Sequence, residues 1–396
     1  MLSCYGDVMK LLWASPLPPV RSGVSDYAVE LLRELERLAR VRVVRPPGWQ
    51  PRPEWDLDAS IVEEDEVPWA DELQLVHMGN NPHHEWLLSR LAQPRTVVVL
   101  HDTVMHHLLV EATLARGQGA RYGTMMAAAH GEPGSVLARA RRVGVTGRRD
   151  PFLFPATTAV LGDAVGAVVH SRWAAQEVAD ALPALPVLEV PLAAADPGAV
   201  GRAALRAELG INPDDVLLLH LGFLTLEKGM LHILGAVAAA RRRGHAVRML
   251  LVGEGREQST IDAAIAALDL GDNVTRTGWV ETDQLLRLPA AADLGVVMRT
   301  PSAGETSAAA LRFLACGTPV AVTALHQFLE WPAPAAPRIT PGPAATADLA
   351  RLLAAASERT GWTERRAAAR RAYLDGGHRP VDVARRLVAA LTAIAP

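Results

Sequence analysis

The chain has 396 residues, 49% of them hydrophobic and 21% charged, with a formal net charge of -3 and two cysteines. The length points to two α/β domains of about 200 residues each. The composition excludes a disordered or collagen-like chain. The small negative charge excludes a global basic field for gripping nucleic acid, and Cys4 and Cys316 are too few for a disulfide framework or a cysteine-based zinc site.

In the first half, short apolar runs at Lys10–Ala14, Val41–Arg45, Leu73–His77, Thr96–Leu100, Ala167–His170 and Val187–Val190 read as strands. Helical patterns lie between them at Asp26–Leu38, His84–Leu91, Val104–Ala115 and Arg172–Ala181. This alternation argues for βαβ units and parallel sheets. Gly117 to Asp150, rich in Gly, Ala and Arg, reads as a helical insertion with mobile joints, and its arginine runs as solvated helix faces. Pro191–Val200, made of small residues and prolines with little to bury, is the linker.

A second series follows, with strands at Val216–Leu221, Val247–Val252, Asn273–Thr277, Leu294–Met298, Pro319–Val322 and Arg338–Thr340. Helices fit Leu231–Arg242, Gln258–Leu268, Thr282–Ala291, Thr306–Ala315, Ala347–Ser357, Thr363–Leu374 and, after a Gly-Gly-His-Arg-Pro break, Val381–Ile394. The expected architecture is two Rossmann-like α/β domains facing a central cleft. No apolar run approaches the ~18 residues of a membrane span, and the opening residues meet prolines too early for a signal peptide. A cytoplasmic location is expected, with peripheral membrane contact left open.

Parallel sheets bind ligands beyond the carboxyl ends of their strands, so the loops there carry the information. After the first strand, prolines stiffen Ser15–Tyr27 and Gly23 lets backbone approach a ligand; Ser25 or Asp26 can cap the next helix, whose N–H groups suit an anion. After Val216–Leu221 comes the glycine-bounded loop Gly222–Gly229, with Lys228 at a helix start. All but two of the 40 basic residues are arginine, the exceptions being Lys10 and Lys228. A lysine surviving that bias suggests a site wanting a compact ammonium, here a phosphate clamp. Gly304 makes a tight turn before a helix beginning at Glu305-Thr306-Ser307, whose first N–H groups can meet a diphosphate. Glu305, a carboxylate, suits sugar hydroxyls better than phosphate. Gly278-Trp-Val280 can wall a nucleotide base.

His77, His83, His84, His101, His106 and His107 cluster in sequence, but their spacing lacks the helix-face pairs of a metal site, and no metal is expected. His101 and Asn80 both follow strands and should project into the cleft.

Taken in order, Pro-Leu-Pro-Pro-x-x-Ser-Gly-x-x-Asp-Tyr, Gly-Asn-Asn-Pro-x-His, Leu100-His-Asp102 with His106-His107-Leu108, Lys228-Gly229 and Gly304-Glu-Thr-Ser307 resemble the retaining, nucleotide-sugar-dependent glycosyltransferases of family 4. The likeness is to a bacterial subgroup with a Gly-Glu-Thr-Ser motif, and runs from about Leu11 to Pro332. It implies a GT-B fold, with residues 1–192 on the acceptor side, 193–378 on the donor side, and 379–396 crossing back onto the first domain. It also implies that Gly23 lies by the diphosphate, His101 faces the donor sugar, Lys228 neutralises the diphosphate, and Glu305 holds sugar hydroxyls. Thr306 and Ser307 would supply phosphate-binding N–H groups, and Asp26, Tyr27, Asn80, Asn81 and His83 would border the acceptor.

No cofactor is implied beyond a UDP- or GDP-linked sugar as co-substrate; the acceptor would be a carbohydrate, lipid-linked or small molecule. Two positions depart from the family pattern. Phe313 stands where a ribose-gripping glutamate is usual, and Phe223 where many relatives carry arginine; Arg299, Arg172 and Arg312 are candidates to compensate. A sugar-nucleotide epimerase and a catalytically inactive sugar-nucleotide-binding subunit remain as alternatives, whereas a phosphorylase would need a cofactor lysine after Lys228 and has none.

Overall fold

The computed structural model describes residues 8–50 and 57–394. The chain folds as two units. The first takes the chain up to Ala193, residues 303–306 and the stretch from Pro380 onward; the second takes Ala194–Ser302 and Ser307–Arg379.

In the first unit β1 (Lys10–Ala14), β2 (Arg40–Val44), β3 (Ser60–Val62), β4 (Glu72–Met78), β5 (Thr96–Leu100), β6 (Gly166–Val169) and β7 (Val187–Glu189) form one sheet in the order β3-β2-β1-β4-β5-β6-β7. Every pairing is parallel. The central strands β4 and β5 are buried along their whole length, which is why they read as continuous apolar runs. The helices are α1 (Gly23–Leu35), α2 (His106–Ala112), α3 (Gly119–Arg142), α4 (Asp150–Leu153) and α5 (Arg172–Ala181).

Four local expectations are corrected. β3, three residues at one edge of the sheet, was not anticipated. Pro82–Ser89 is a 3-10 helix rather than an α-helix. Ser22, not Ser25 or Asp26, caps α1: its backbone is extended and its Oγ accepts the Ser25 N–H at 3.1 Å. The glycine-rich insertion is helical as expected, but α3 is two helices meeting at a break at Gly131 (φ 62°, ψ -141°), two residues before Pro133. Proline cannot bond back to the preceding turn, so the break falls there.

The second unit runs α6 (Arg202–Glu208), β8 (Val216–Leu221), α7 (Met230–Arg242), β9 (Val247–Val252), α8 (Gln258–Ala267), β10 (Val274–Gly278), α9 (Thr282–Ala291), β11 (Leu294–Val297), α10 (Ala308–Ala315), β12 (Val320–Thr323), β13 (Arg338–Ile339), α11 (Ala345–Glu358) and α12 (Trp362–Asp375). Its parallel sheet has the order β10-β9-β8-β11-β12-β13. Asp293, just before β11, anchors this unit: its carboxylate accepts from Arg202 at 2.6 Å, Arg206 at 3.0 Å and the Leu217 N–H at 2.9 Å.

The segment 191–200 is tied down rather than loose. Leu192, Ala193 and Ala194 are buried. Within the second unit Ala194 donates to the His378 carbonyl at 3.0 Å and accepts from the Tyr373 hydroxyl at 2.8 Å. The final helix, α13 (Pro380–Thr392), buries Val383, Ala384, Leu387 and Leu391 and packs on α1, returning the chain to the first unit. Strand order reverses between β1 and β4 in one sheet and between β8 and β11 in the other. These switch points are where such sheets open a ligand crevice.

Candidate active site

In the second unit the loop after β8 begins at Gly222, whose φ of +114° only glycine adopts readily. A Cβ at Gly222 would lie 3.0 Å from Lys228 Nζ, so the ammonium is folded back over bare backbone. The same Nζ stands 5.7 Å from the centroid of the Phe223 ring, within cation–π range. Lys228 is half-buried. Behind it, buried His220 is pushed down to about 3, first by desolvation and next by the Lys228 charge. The loop is braced from β9, since a Cβ at Gly253 would meet the Gly222 carbonyl oxygen at 2.3 Å and one at Gly255 the Leu224 oxygen at 1.8 Å. The Gly222 N–H donates to Val252 O and the Leu224 N–H to Glu254 O. Half-buried Val280 follows Trp279, whose N–H donates to Glu254 Oε1 at 3.3 Å.

Across the switch point, α10 starts at Ala308, two residues later than expected. Ser307 is extended and its Oγ accepts the Ala310 N–H at 3.3 Å, which makes it the cap. With Ser307 as the cap, the first intrahelical bond runs from Leu311 N to the Ser307 carbonyl, so the amides of Ser307, Ala308 and Ala309 form the helix mouth and Thr306 precedes it. Phe313 faces inward and is fully buried; a Cβ at Gly295 would sit 2.5 Å from its ring. Arg312 is buried, Arg299 half-buried and Arg172 exposed.

Residues 303–306 belong to the first unit because they are sewn to the loop after β5. The Ala303 carbonyl accepts from Thr103 N at 2.8 Å, Val104 N at 3.2 Å and Thr103 Oγ1 at 3.1 Å. Gly304 (φ +78°) is forced to be glycine, since a Cβ would meet Thr103 Oγ1 at 2.0 Å and the Trp173 ring at 2.5 Å. Glu305 is buried, and its Oε2 accepts the Ala303 N–H at 2.9 Å. Thr306 Oγ1 donates to the His170 carbonyl at 3.3 Å.

At the carboxyl edge of the first sheet, His101 joins a buried aromatic group. His77 Nδ1 lies 3.0 Å from His101 Nε2. The Tyr27 ring meets His101 edge-on at 5.1 Å, His170 lies 5.1 Å away, and Trp13 stacks on His77 at 3.9 Å. Desolvation, with weaker repulsion from neighbouring imidazoles, holds His77 and His101 well below the usual histidine range, so both rings are neutral.

Asn80 and Asp102 lock the two adjoining loops: Asn80 N donates to Asp102 Oδ2 at 2.7 Å, and Asn80 Oδ1 accepts from Leu108 N at 3.0 Å. Asn81 caps the 3-10 turn through the His83 N–H, leaving the His83 ring exposed. Asp26 is half-buried, Gly23 is exposed, and a Cβ on Gly23 would meet nothing within 4 Å.

The structure thus gathers His101, Tyr27, Glu305 and Thr306 in one unit and Gly222, Lys228, Ser307 and Val280 in the other. Sequence reasoning missed His170 as a neighbour of His101 and Trp13 as a neighbour of His77. Their signal was positional: each sits at or just beyond the end of a central strand, as His77 and His101 do.

Residues 201–371 match the family model described as Glycosyl transferases group 1. D-inositol 3-phosphate glycosyltransferase of Segniliparus rotundus is 37% identical over 124 residues, 30% of this chain and 27% of that protein. 2-deoxystreptamine glucosyltransferase of Streptomyces kanamyceticus is 29% identical over 181 residues, 46% of this chain and 45% of that protein. The matches therefore span less than half the length of either relative. Among solved structures, Anabaena HepE in complex with UDP and glucose superposes with a TM-score of 0.63 at 15% identity, covering 97% of this chain and 100% of that one. In fold the chain is GT-B, and over its second unit its sequence is similar to the group 1 glycosyl transferases.

Proposed function

We propose that the protein transfers a sugar from a nucleotide-diphosphate donor to an acceptor hydroxyl, with retention at the anomeric carbon. The observation that carries this reading is the loop after β8, where Lys228, one of two lysines in the chain, folds over bare Gly222 backbone at the switch point of the sheet. That arrangement offers an ammonium held on the sheet's carboxyl edge to a diphosphate. The mouth of α10 adds the N–H groups of Ser307, Ala308 and Ala309 and the positive end of a helix. Together they would stabilise the charge that grows on the leaving diphosphate, which is where binding energy accelerates the reaction.

A double displacement needs a carboxylate nucleophile paired with a second carboxyl group. Glu305 is instead engaged by the Ala303 amide, which suits it to hold sugar hydroxyls. The departing diphosphate then takes the acceptor proton on the same face, and retention follows. His101 contributes as a neutral hydrogen-bonding group to the donor sugar, and Val280 flanks the base. Asp26, Tyr27, Asn80, Asn81 and His83 border the acceptor, Asn80 and Asn81 by shaping the loops. HepE's complex with UDP and glucose favours a UDP-linked donor over a GDP-linked one. The relatives' names, D-inositol 3-phosphate and 2-deoxystreptamine, favour a small-molecule acceptor.

The test is a thermal-shift screen of UDP- and GDP-sugars, since a bound donor raises stability by mass action. NMR then reads the anomeric configuration of the product. A donor should raise the melting temperature and pass its sugar on with unchanged configuration. No shift with any nucleotide sugar contradicts the reading, and an inverted product contradicts its retaining mechanism.

A further inference from the structure

We propose that His77 is a positioning residue that fixes the tautomer of His101, so that His101 presents Nδ1–H as a hydrogen-bond donor to an oxygen of the bound sugar. The identity of that ligand rests on the glycosyltransferase reading; the tautomer does not.

The two neutral rings share one hydrogen bond, His77 Nδ1 to His101 Nε2 at 3.0 Å, and therefore one proton. The proton can sit on either ring, and the surroundings decide which. His77 is fully buried in β4 beneath Trp13, and its Nε2 is buried with no partner. If His101 donated, His77 would carry its own proton on Nε2, sealing an N–H away from every acceptor. If His77 donates from Nδ1, the atom left alone is only a lone pair. Orphaned buried donors are the rarer and costlier case. The proton therefore belongs to His77 Nδ1.

Two neighbouring imidazoles show the same pattern. His84 Nδ1 donates to the His77 carbonyl at 2.8 Å and His170 Nδ1 to the Val190 carbonyl at 2.9 Å. With Nε2 of His101 accepting, its proton must sit on Nδ1. That nitrogen makes no hydrogen bond among the described residues, and His101 keeps 9% of its surface exposed where His77 has none. The pair thus ends on an N–H of fixed direction. Sugar hydroxyl oxygens accept such a bond, and a ring held in one tautomer and one orientation pays less to form it.

The experiment is nitrogen-15 NMR of the His101 ring in the full chain, with kinetics of His77→Leu and His77→Asn. In the wild type, His101 should be protonated at Nδ1 and bare at Nε2. His77→Leu should give mixed tautomers, and kcat should fall roughly tenfold with little change in KM for the donor. His77→Asn keeps a short N–H donor and should restore both the tautomer and most of kcat. An Nε2-protonated His101 in the wild type, an unchanged tautomer in His77→Leu, or a His77→Leu enzyme with full kcat would each overturn the proposal. Should His77→Leu fail to fold, the wild-type spectrum alone decides. A chain with the expected tautomer but no sugar transfer would refute the glycosyltransferase reading and leave the His77–His101 relation standing.

Discussion

Phe313 shows how one residue limits what a motif can do. Its ring fills the space over Gly295 and is wholly removed from water. Restoring a glutamate there would recover no nucleotide contact, because the side chain points into the core. Phe313→Glu should destabilise the fold by roughly 3–5 kcal/mol, the scale of an uncompensated buried charge, and should not tighten nucleotide binding. Urea unfolding and nucleotide titration check the two halves of that statement, and a stable variant that binds more tightly would refute it.

The neighbouring residues were unequally legible in sequence. Lys228 stood out because arginine replaces lysine nearly everywhere else, and Gly304 because a glycine before a helix start marks a tight approach. Trp13 and His170 did not, since one is a single aromatic residue in β1 and the other follows β6, and only the sheet brings them beside His77 and His101. Ser22 was passed over as the α1 cap because Ser25 and Asp26 offer equally good side chains three residues later.

At the scale of elements, the long apolar runs were readable and the short elements only in part: β7 and β13 were expected, β3 and α6 were not. β1, β4, β5, β8 and β9 are buried on both faces, so their sequences announce them. β3 and α6 are three and seven residues long. Neither is long enough for its period to emerge. The segment 191–200 misled for a different reason. Its small residues look unable to bury anything, yet small residues allow close approach, and the Tyr373 hydroxyl and His378 carbonyl reach its backbone. The start of α10 moved for a capping reason, because Ser307 spends its hydroxyl on Ala310 and so stands outside the helix it begins. The amides left outside the helical ladder are therefore those of Ser307, Ala308 and Ala309.

At the scale of the whole molecule, both units keep neutral histidines in their interiors. His84 and His106 are pushed down to about 4 and His220 to about 3, each chiefly by burial, and His77 and His101 lie well below the ordinary value for the same reason. Folded pKa values below the unfolded ones mean that the unfolded chain binds protons the folded chain refuses. The stability these rings contribute is whole above about pH 6.5 and is lost progressively as pH falls toward their folded values. Each ring contributes at most about 1.4 kcal/mol per pH unit to that loss. Denaturation midpoints should therefore fall steadily between about pH 6.5 and about pH 4, ahead of most carboxylate titration. A midpoint unchanged from about pH 7 to about pH 5 would contradict this.

The fold was largely legible from alternation alone, because two series of buried parallel strands repeat the same pattern. The chemistry was legible only in part, because it depends on which loop ends meet at each switch point. The account rests on the ammonium that Lys228 holds over Gly222, and turnover of Lys228→Ala at saturating donor tests it most directly. If that charge stabilises the leaving diphosphate, kcat falls by about 100-fold or more while the fold is retained; a Lys228→Ala enzyme turning over at the wild-type rate would contradict the assignment.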